Sequence, residues 1–385
     1  MKYKISIFYT LLYLGIGTLS PFMSLFLNQR GFDASQIGII LAAGSLTGII
    51  AQPVFGMIND SSKDYRSLLK ISLFLSAVVV LGYFFSESFV LIIITAIAFS
   101  FINTPTAPII DSIAVENGPA YGFSYGKVRV WGSIGFTAIT AISGYIFNSI
   151  GYKYIFIFYS FFSLLMFLMI FTFPKIEKGK RAIVNEKKGM STALFNWRFV
   201  IFIAICLLVS SSRTMNFSYY TIYFKELHYP VELVGWTFAI AASVEIPLFW
   251  LSSKVIRRFG LFPMLILGVC SYTIKYIVMG FAPAFIIVLF LQVLDGFGFA
   301  FYTSSVVEIV SSMAPKHAKA TAQSMFAASS GIAGIIGNLA GGWIVDYAGS
   351  QFLFSIMGGV GVVAVLLFIL FPKKQNSQHD LSLTS

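Results

Sequence analysis

Apolar residues run along this chain in long blocks, separated by short polar or glycine- and proline-rich breaks. The blocks fall at 5–28, 36–58, 67–86, 89–113, 125–149, 153–174, 198–224, 233–255, 261–281, 284–310, 319–344 and 350–372. Each approaches the roughly 20 residues that cross a hydrocarbon core as a helix. The pattern therefore predicts twelve transmembrane helices, an even number that leaves both termini on one side. The first block flows into a spanning-length helix and lacks a small-residue cleavage site, so it reads as a transmembrane helix and not a signal peptide. The longest polar stretch, 175–197, is the expected cytoplasmic linker between six-helix bundles at 1–174 and 198–374, with a disordered tail at 375–385.

The two halves look like copies. Phe26-Leu27 leads through RGFDASQIG to Gly38, and Tyr223-Phe224 leads through LHYPVELVG to Gly235, at an offset of 197 residues. Internal symmetry of this kind marks transporters built from repeats, which bind their cargo between the repeats near mid-bilayer. The fold class expected is an all-α membrane protein with twelve transmembrane helices in two pseudo-symmetric six-helix bundles. Glycines are frequent inside two spans, at Gly132, Gly135 and Gly144 and at Gly331, Gly334, Gly337, Gly341 and Gly342. They fit close helix packing, and equally contacts smooth enough to slide.

Composition agrees with a membrane protein. Of 385 residues, 57% are apolar and 11% charged, and the mean hydropathy is +0.85. No soluble domain hides that much apolar surface. The net charge of +11 is distributed by loop, which argues for membrane orientation and against nucleic acid. Lys175, Lys178, Lys180, Arg181, Lys187 and Lys188 crowd the central connection, while Lys63, Arg66, Arg257, Arg258, Lys316, Lys319, Lys373 and Lys374 crowd others on the same side. The positive-inside rule then places both termini in the cytoplasm of a cell whose inner membrane holds the chain. His228, His317 and His379 all lie in polar connections, so neither a metal centre nor a cofactor is expected. Cys206 and Cys270 fall in apolar blocks and read as small buried hydrophobes.

Ionisable groups inside the blocks are where chemistry is expected. A charge in mid-membrane costs about 2.5 to 3.5 kcal/mol on insertion scales, so it should face the protein interior and find a partner. The groups are Asp111, Arg129, Arg213, Glu245, Lys275 and Asp295, three acids and three bases. Asp111 and Arg129 flank one short connection, which suits either a structural clamp or cargo binding through the planar guanidinium fork. Glu245 lies near the middle of its block. A carboxyl group balanced between burial and a neighbouring base can change protonation as a cavity opens to one side or the other. The proton carrier must then be Glu245, Asp295 or Asp111, with Glu245 preferred and Asp295 second, and Arg213 and Lys275 competing for these acids. Lys275 and Asp295 could equally form a plain buried pair. Asn103 and Thr104, Asn216, Ser218, Tyr219 and Tyr220, and Gln292 add polarity suited to a sugar, a nucleoside or an aromatic acid, and the tyrosines also fit interface anchors. Glu308 and Asp346, at block ends, are read as solvated.

On these residues the chain resembles the major facilitator superfamily over essentially its full length. Gly56-Met-Ile-Asn-Asp60, with Lys63 and Arg66, is similar to that family's loop signature between helices 2 and 3, although Ser61 stands where a base is usual. The resemblance makes Gly56, Asp60 and Arg66 a cytoplasmic gate. PFMSLFL at Pro21, QPVFG at Gln52, APIID ending at Asp111 and YGKVRVWGSIGF around Arg129 resemble the lactose permease and phenylpropionate permease branches. That resemblance implies a proton-coupled importer in which Asp111, Arg129 and Glu245 bind cargo and Glu245 also couples protons. Lys275 matches a helix-9 arginine, and Asp295 falls where helix 10 carries a histidine. The helix-10 acid of the lactose permease falls on Gly298, and Arg213 lies near the place of its helix-7 acids, so the coupling network is wired differently.

The expected function is thus symport of a small polar solute, such as a sugar, oligosaccharide or nucleoside, with protons. Substrate binding is assigned to Asp111, Arg129, Glu245, Asn103, Asn216, Tyr220 and Gln292, and proton coupling to Glu245, Asp295, Lys275 and Arg213. The chain is expected to act as a monomer in the lipid bilayer. The alternative is an exporter of drugs or metabolites by proton antiport. A membrane enzyme would need a nucleophile with a base, or a metal set, and no histidine lies in any block.

Overall fold

The computed structural model describes residues 1–61, 65–118, 121–173, 196–315 and 318–372. The linker expected at 175–197 lies outside them apart from its last two residues, and the 375–385 tail lies wholly outside. Among the described residues eleven stretches are long and apolar enough to span a membrane, and the last, Thr321–Leu370, is two helices joined at Gly349. Only glycine holds that backbone, at φ 82° and ψ 163°, without strain.

The twelve helices are α1 (Lys2–Gln29), α2 (Ala34–Ser61), α3 (Arg66–Phe85), α4 (Phe89–Val115), α5 (Tyr125–Ile150) and α6 (Tyr152–Ile170). The second set is α7 (Trp197–Glu226), α8 (Val234–Phe259), α9 (Leu261–Gly280), α10 (Phe285–Met313), α11 (319–348) and α12 (350–370). Odd helices run from the end that carries the chain's start to the far end, and even helices return.

Three helices depart from the unbroken runs expected, α3 by a turn at Val80 between Tyr65–Val79 and Leu81–Phe85, and α4 and α1 as follows. In α4 the helix ends at Asn103 and restarts at Thr106, because Pro105 has no N–H to carry the ladder across. Thr104 then turns its hydroxyl back onto the Ser100 carbonyl at 2.5 Å. In α1 a short 3-10 turn at Ser20–Phe22 carries Pro21. The start of α2 is fixed by a reciprocal cap. Asp33 accepts from the Gln36 N–H at 2.7 Å, and the Gln36 side chain accepts from the Asp33 N–H at 3.2 Å.

The two six-helix bundles meet along two seams, α2 against α11 and α5 against α8. The repeated glycines sit one on each. A methyl group on Gly38 would strike the Asn338 carbonyl oxygen, and one on Gly235 would strike the Thr140 carbonyl oxygen. The same close approach is therefore built twice, once per repeat. Among the described residues five hydrogen bonds join the bundles, four of them near the far end and the fifth, Asn338 to Ser45, 11 residues into α2. Asp346 accepts from the Ala34 and Ser35 N–H groups at 2.8 and 2.7 Å, and Lys225 donates to Asn28 at 2.6 Å. Tyr219 donates to the Ala34 carbonyl at 3.4 Å, and Asn338 donates to Ser45 at 3.3 Å. Asp346 thus corrects the solvated reading. Its two oxygens satisfy N–H groups at the open start of a helix in the other bundle, where the helix dipole favours an anion.

Candidate functional site

Three tiers of polar side chains occupy the bundle. The tier nearest the termini is built by α1, α4 and α5. Asp111 lies on the Thr106–Asn117 segment that Pro105 re-aims, six residues from its end. Arg129 lies four residues into α5. Both therefore sit within about two turns of the helix ends, shallower than mid-span. The sequence suggests a pair, yet two tyrosines of α1 stand between them. Tyr9, 1% exposed, donates to Asp111 at 2.5 Å, and Tyr125 donates to the same oxygen at 3.3 Å. The Arg129 guanidinium donates to the Tyr13 hydroxyl and lies over the Tyr13 ring at 4.1 Å and the Tyr9 ring at 5.8 Å. Tyr9 and Tyr13, four residues apart, face the same way on α1. They hold an acid and a base close together without letting them form a direct ion pair.

The middle tier holds Glu245 and Arg213, 11 and 13 residues from the far ends of α8 and α7, or about 16 and 20 Å by helical rise. Arg213, expected to compete for these acids, forms no direct ion pair with one among the described residues. Instead its guanidinium sits among aromatic faces, 4.7 Å from the Phe299 ring centre, 5.4 Å from Tyr272 and 5.9 Å from Tyr302. Rings of this kind offer a cation their negative faces in place of water. Glu245 has no hydrogen-bond or ion-pair partner among the described residues. The charges that reach it are Asp295 and Arg213 from its own bundle and Arg129 from the other.

The far tier is a connected chain across α7, α9 and α10. Lys275, 1% exposed, donates to Asp295 at 2.7 Å and to the Gln292 side-chain oxygen at 3.4 Å. Gln292 in turn donates to the Tyr220 hydroxyl at 2.8 Å and to the Val288 carbonyl at 3.1 Å. Lys275 and Asp295 thus form the buried pair between consecutive helices that is one of their two readings. Every donor and acceptor on Gln292 that such a chain needs is used, which is how a buried amide escapes its desolvation penalty.

Of the remaining residues singled out, Asn103 accepts from Tyr159 of α6 at 2.8 Å within its own bundle. Asn216 is buried, and its side-chain oxygen has no partner among the described residues. The side chains of Gly56 and Asp60 lie outside the described residues. Arg66 donates to the Phe173 carbonyl at 3.0 Å, tying α3 to the end of α6. The residues that sequence reasoning missed are tyrosines: Tyr9, Tyr13, Tyr125, Tyr272 and Tyr302. Their signal is weak, because a tyrosine near a helix end is also the ordinary membrane-interface anchor. The i, i+4 spacing of Tyr9 and Tyr13 is the available clue.

Chemically, this arrangement offers hydroxyl groups, amides and aromatic walls for a polar solute, cations from both bundles, and, among the described residues, one carboxyl group without a hydrogen-bond or ion-pair partner between them. Comparison with known proteins agrees with transport. The chain is 26% identical over 377 residues to the uncharacterised transporter YwbF of Bacillus subtilis (strain 168), covering 97% of this chain and 94% of that one. It is 24% identical over 378 residues to the maltose permease of Geobacillus stearothermophilus, covering 97% and 95%. The fold superposes on the crystal structure of the nucleoside transporter NupG with a TM-score of 0.85 at 16% identity, covering 97% of this chain and 99% of that one. The model of the MFS_1 like family matches residues 2–356, and the chain belongs to that family of major facilitator transporters.

Proposed function

We propose that the protein imports a small polar solute, a sugar, oligosaccharide or nucleoside, together with protons by alternating access across the cell's inner membrane. The observation that carries this reading is Glu245. A carboxyl group deep in a membrane protein, without a partner among the described residues and within reach of cations from both bundles, is the group whose protonation changes when the bundles move. Asp295 is held by Lys275, and Asp111 by two tyrosine hydroxyls, so neither is as free to exchange a proton. The loop charges support cytoplasmic termini. On that orientation the four cross-bundle bonds near the far end lie at the outer face, which supports an inward-facing state. Asp111 and Arg129, with Tyr9 and Tyr13, would meet cargo at the cytoplasmic mouth, while Asn216, Tyr220 and Gln292, buried here, would meet it only once the bundles move. The names of the maltose permease and the nucleoside transporter support hydroxyl-rich cargo.

The test is transport by purified protein in proteoliposomes, with an inside-alkaline pH gradient and a panel of maltose, xylose, uridine and phenylpropionate. One member should accumulate against its gradient and leak back when a protonophore is added. Uptake indifferent to the pH gradient would remove the coupling, and accumulation only with the gradient reversed would make the protein an exporter.

A further inference from the structure

A groove of about 460 Å³ lies between the terminus-side ends of α1 and α5, outside the transport site. It is lined by Lys2, Ser124, Gly126, Lys127, Val130 and Trp131. Lys127 and Trp131 are four residues apart and share one face of α5. Arg129 lies two residues from each, so it points the opposite way, toward Tyr9 and Tyr13. The face of Trp131 continues along the helix through Ile134, Ile142 and Tyr145, exposed by 46%, 45%, 51% and 51% in that order. A continuous exposed apolar stripe on a spanning helix is its lipid-facing wall. Tyr3 and Ile7, 79% and 53% exposed, show the same for the start of α1 beside Lys2.

The groove therefore opens to the bilayer at the level where headgroups lie. Both lysines are exposed, and neither has an acid at ion-pair distance among the described residues. Trp131 sits one helical turn deeper than Lys127, with its indole at the depth where tryptophan favours the boundary between headgroup and chain. Two uncompensated cations above an aromatic ring, in a groove between transmembrane helices, match an anion carried on an apolar tail.

We propose that this groove binds the headgroup of an anionic phospholipid, with Lys2 and Lys127 on the phosphate and Trp131 against the glycerol and first acyl carbons. The bound lipid would brace α5 against α1, which carries the two tyrosines of the terminus-side tier.

Native mass spectrometry of the full-length protein, titrated with phosphatidylglycerol or phosphatidylcholine, tests this. The variants are Lys2→Ala/Lys127→Ala and a control, Lys254→Ala/Lys319→Ala, which removes the same charge from exposed positions at the same end of the bundle. Thermal unfolding without lipid checks that each variant is folded, and the single variants replace a double that is not. Phosphatidylglycerol affinity should fall about thirtyfold in the groove variant and stay close to wild type in the control, with phosphatidylcholine weak throughout. Equal losses in both variants, or phosphatidylcholine binding as tightly as phosphatidylglycerol, would overturn the site. Inorganic phosphate displacing the lipid at comparable concentration would overturn its identity as a lipid site.

Discussion

The tyrosines decide how the charges in this protein are arranged. Asp111 would neutralise Arg129 directly if nothing intervened. Tyr9 instead gives the carboxylate a hydrogen bond at 2.5 Å and gives the guanidinium a ring face at 5.8 Å. A hydrogen bond to a charged group is worth about 1.5 to 3 kcal/mol. Tyr9→Phe should therefore lower stability by that order in denaturant titration in detergent micelles, and an unchanged unfolding midpoint would count against it. The Lys275–Asp295 pair makes a different prediction. Removing one partner from a buried ion pair costs about 3 to 5 kcal/mol, whereas replacing both with apolar groups is often neutral. Lys275→Met alone should destabilise strongly, and Lys275→Met/Asp295→Leu should recover most of the loss. Two additive losses would show that the pair is not isolated. The charged residues are legible in the sequence because a charge in an apolar block stands out. Their partners are not, because tyrosine has two ordinary uses in a membrane and only contacts distinguish them. Pairing also escapes sequence reasoning: Lys275 and Asp295 meet as neighbouring helices allow, and Arg213 finds rings where an acid is expected.

At the scale of helices, the far-end clasp is the element most open to mutation. Asp346 caps the start of α2 from the opposite bundle, so it closes a helix and an interface at once. A helix N-cap contributes about 1 kcal/mol, and a change of that size moves a two-state population about fivefold. Asp346→Ala should shift the protein by that factor toward an outward-open state, seen as a longer distance between spin labels placed across the α2–α11 seam. An unaltered distance distribution would show that the clasp does not hold the closed face. Gly235→Leu should act in the same direction, because a side chain there meets the Thr140 carbonyl. Twelve spans and the glycine pair are evident from the apolar blocks and the repeated loop, since both are written in local pattern. The break in α4 is hidden because Asn103, Thr104 and Pro105 are only a short polar interruption, with apolar sequence continuing on both sides of it as one block of spanning length. Asp346 is misread because a carboxylate at a block end resembles any solvated one until its partner helix, 312 residues away in sequence, is placed beside it.

For the whole molecule, most cross-bundle hydrogen bonds among the described residues lie near the far face, and the proposed function takes the opposite face as the open one. A cargo and a proton can share such a path if binding either one favours the same rearrangement of the bundles. The arrangement assigns that coupling to Glu245, the carboxyl group that feels Arg129 across the interface and Arg213 beside it. The direct measurement is solute accumulation in proteoliposomes under an inside-alkaline gradient, set beside solute exchange without a gradient, for wild type and Glu245→Gln. Accumulation should vanish in the variant while exchange persists, because the bundles still rock around cargo without carrying a proton. Uphill accumulation at the wild-type level in Glu245→Gln would contradict the proton role of this residue and with it the coupling described.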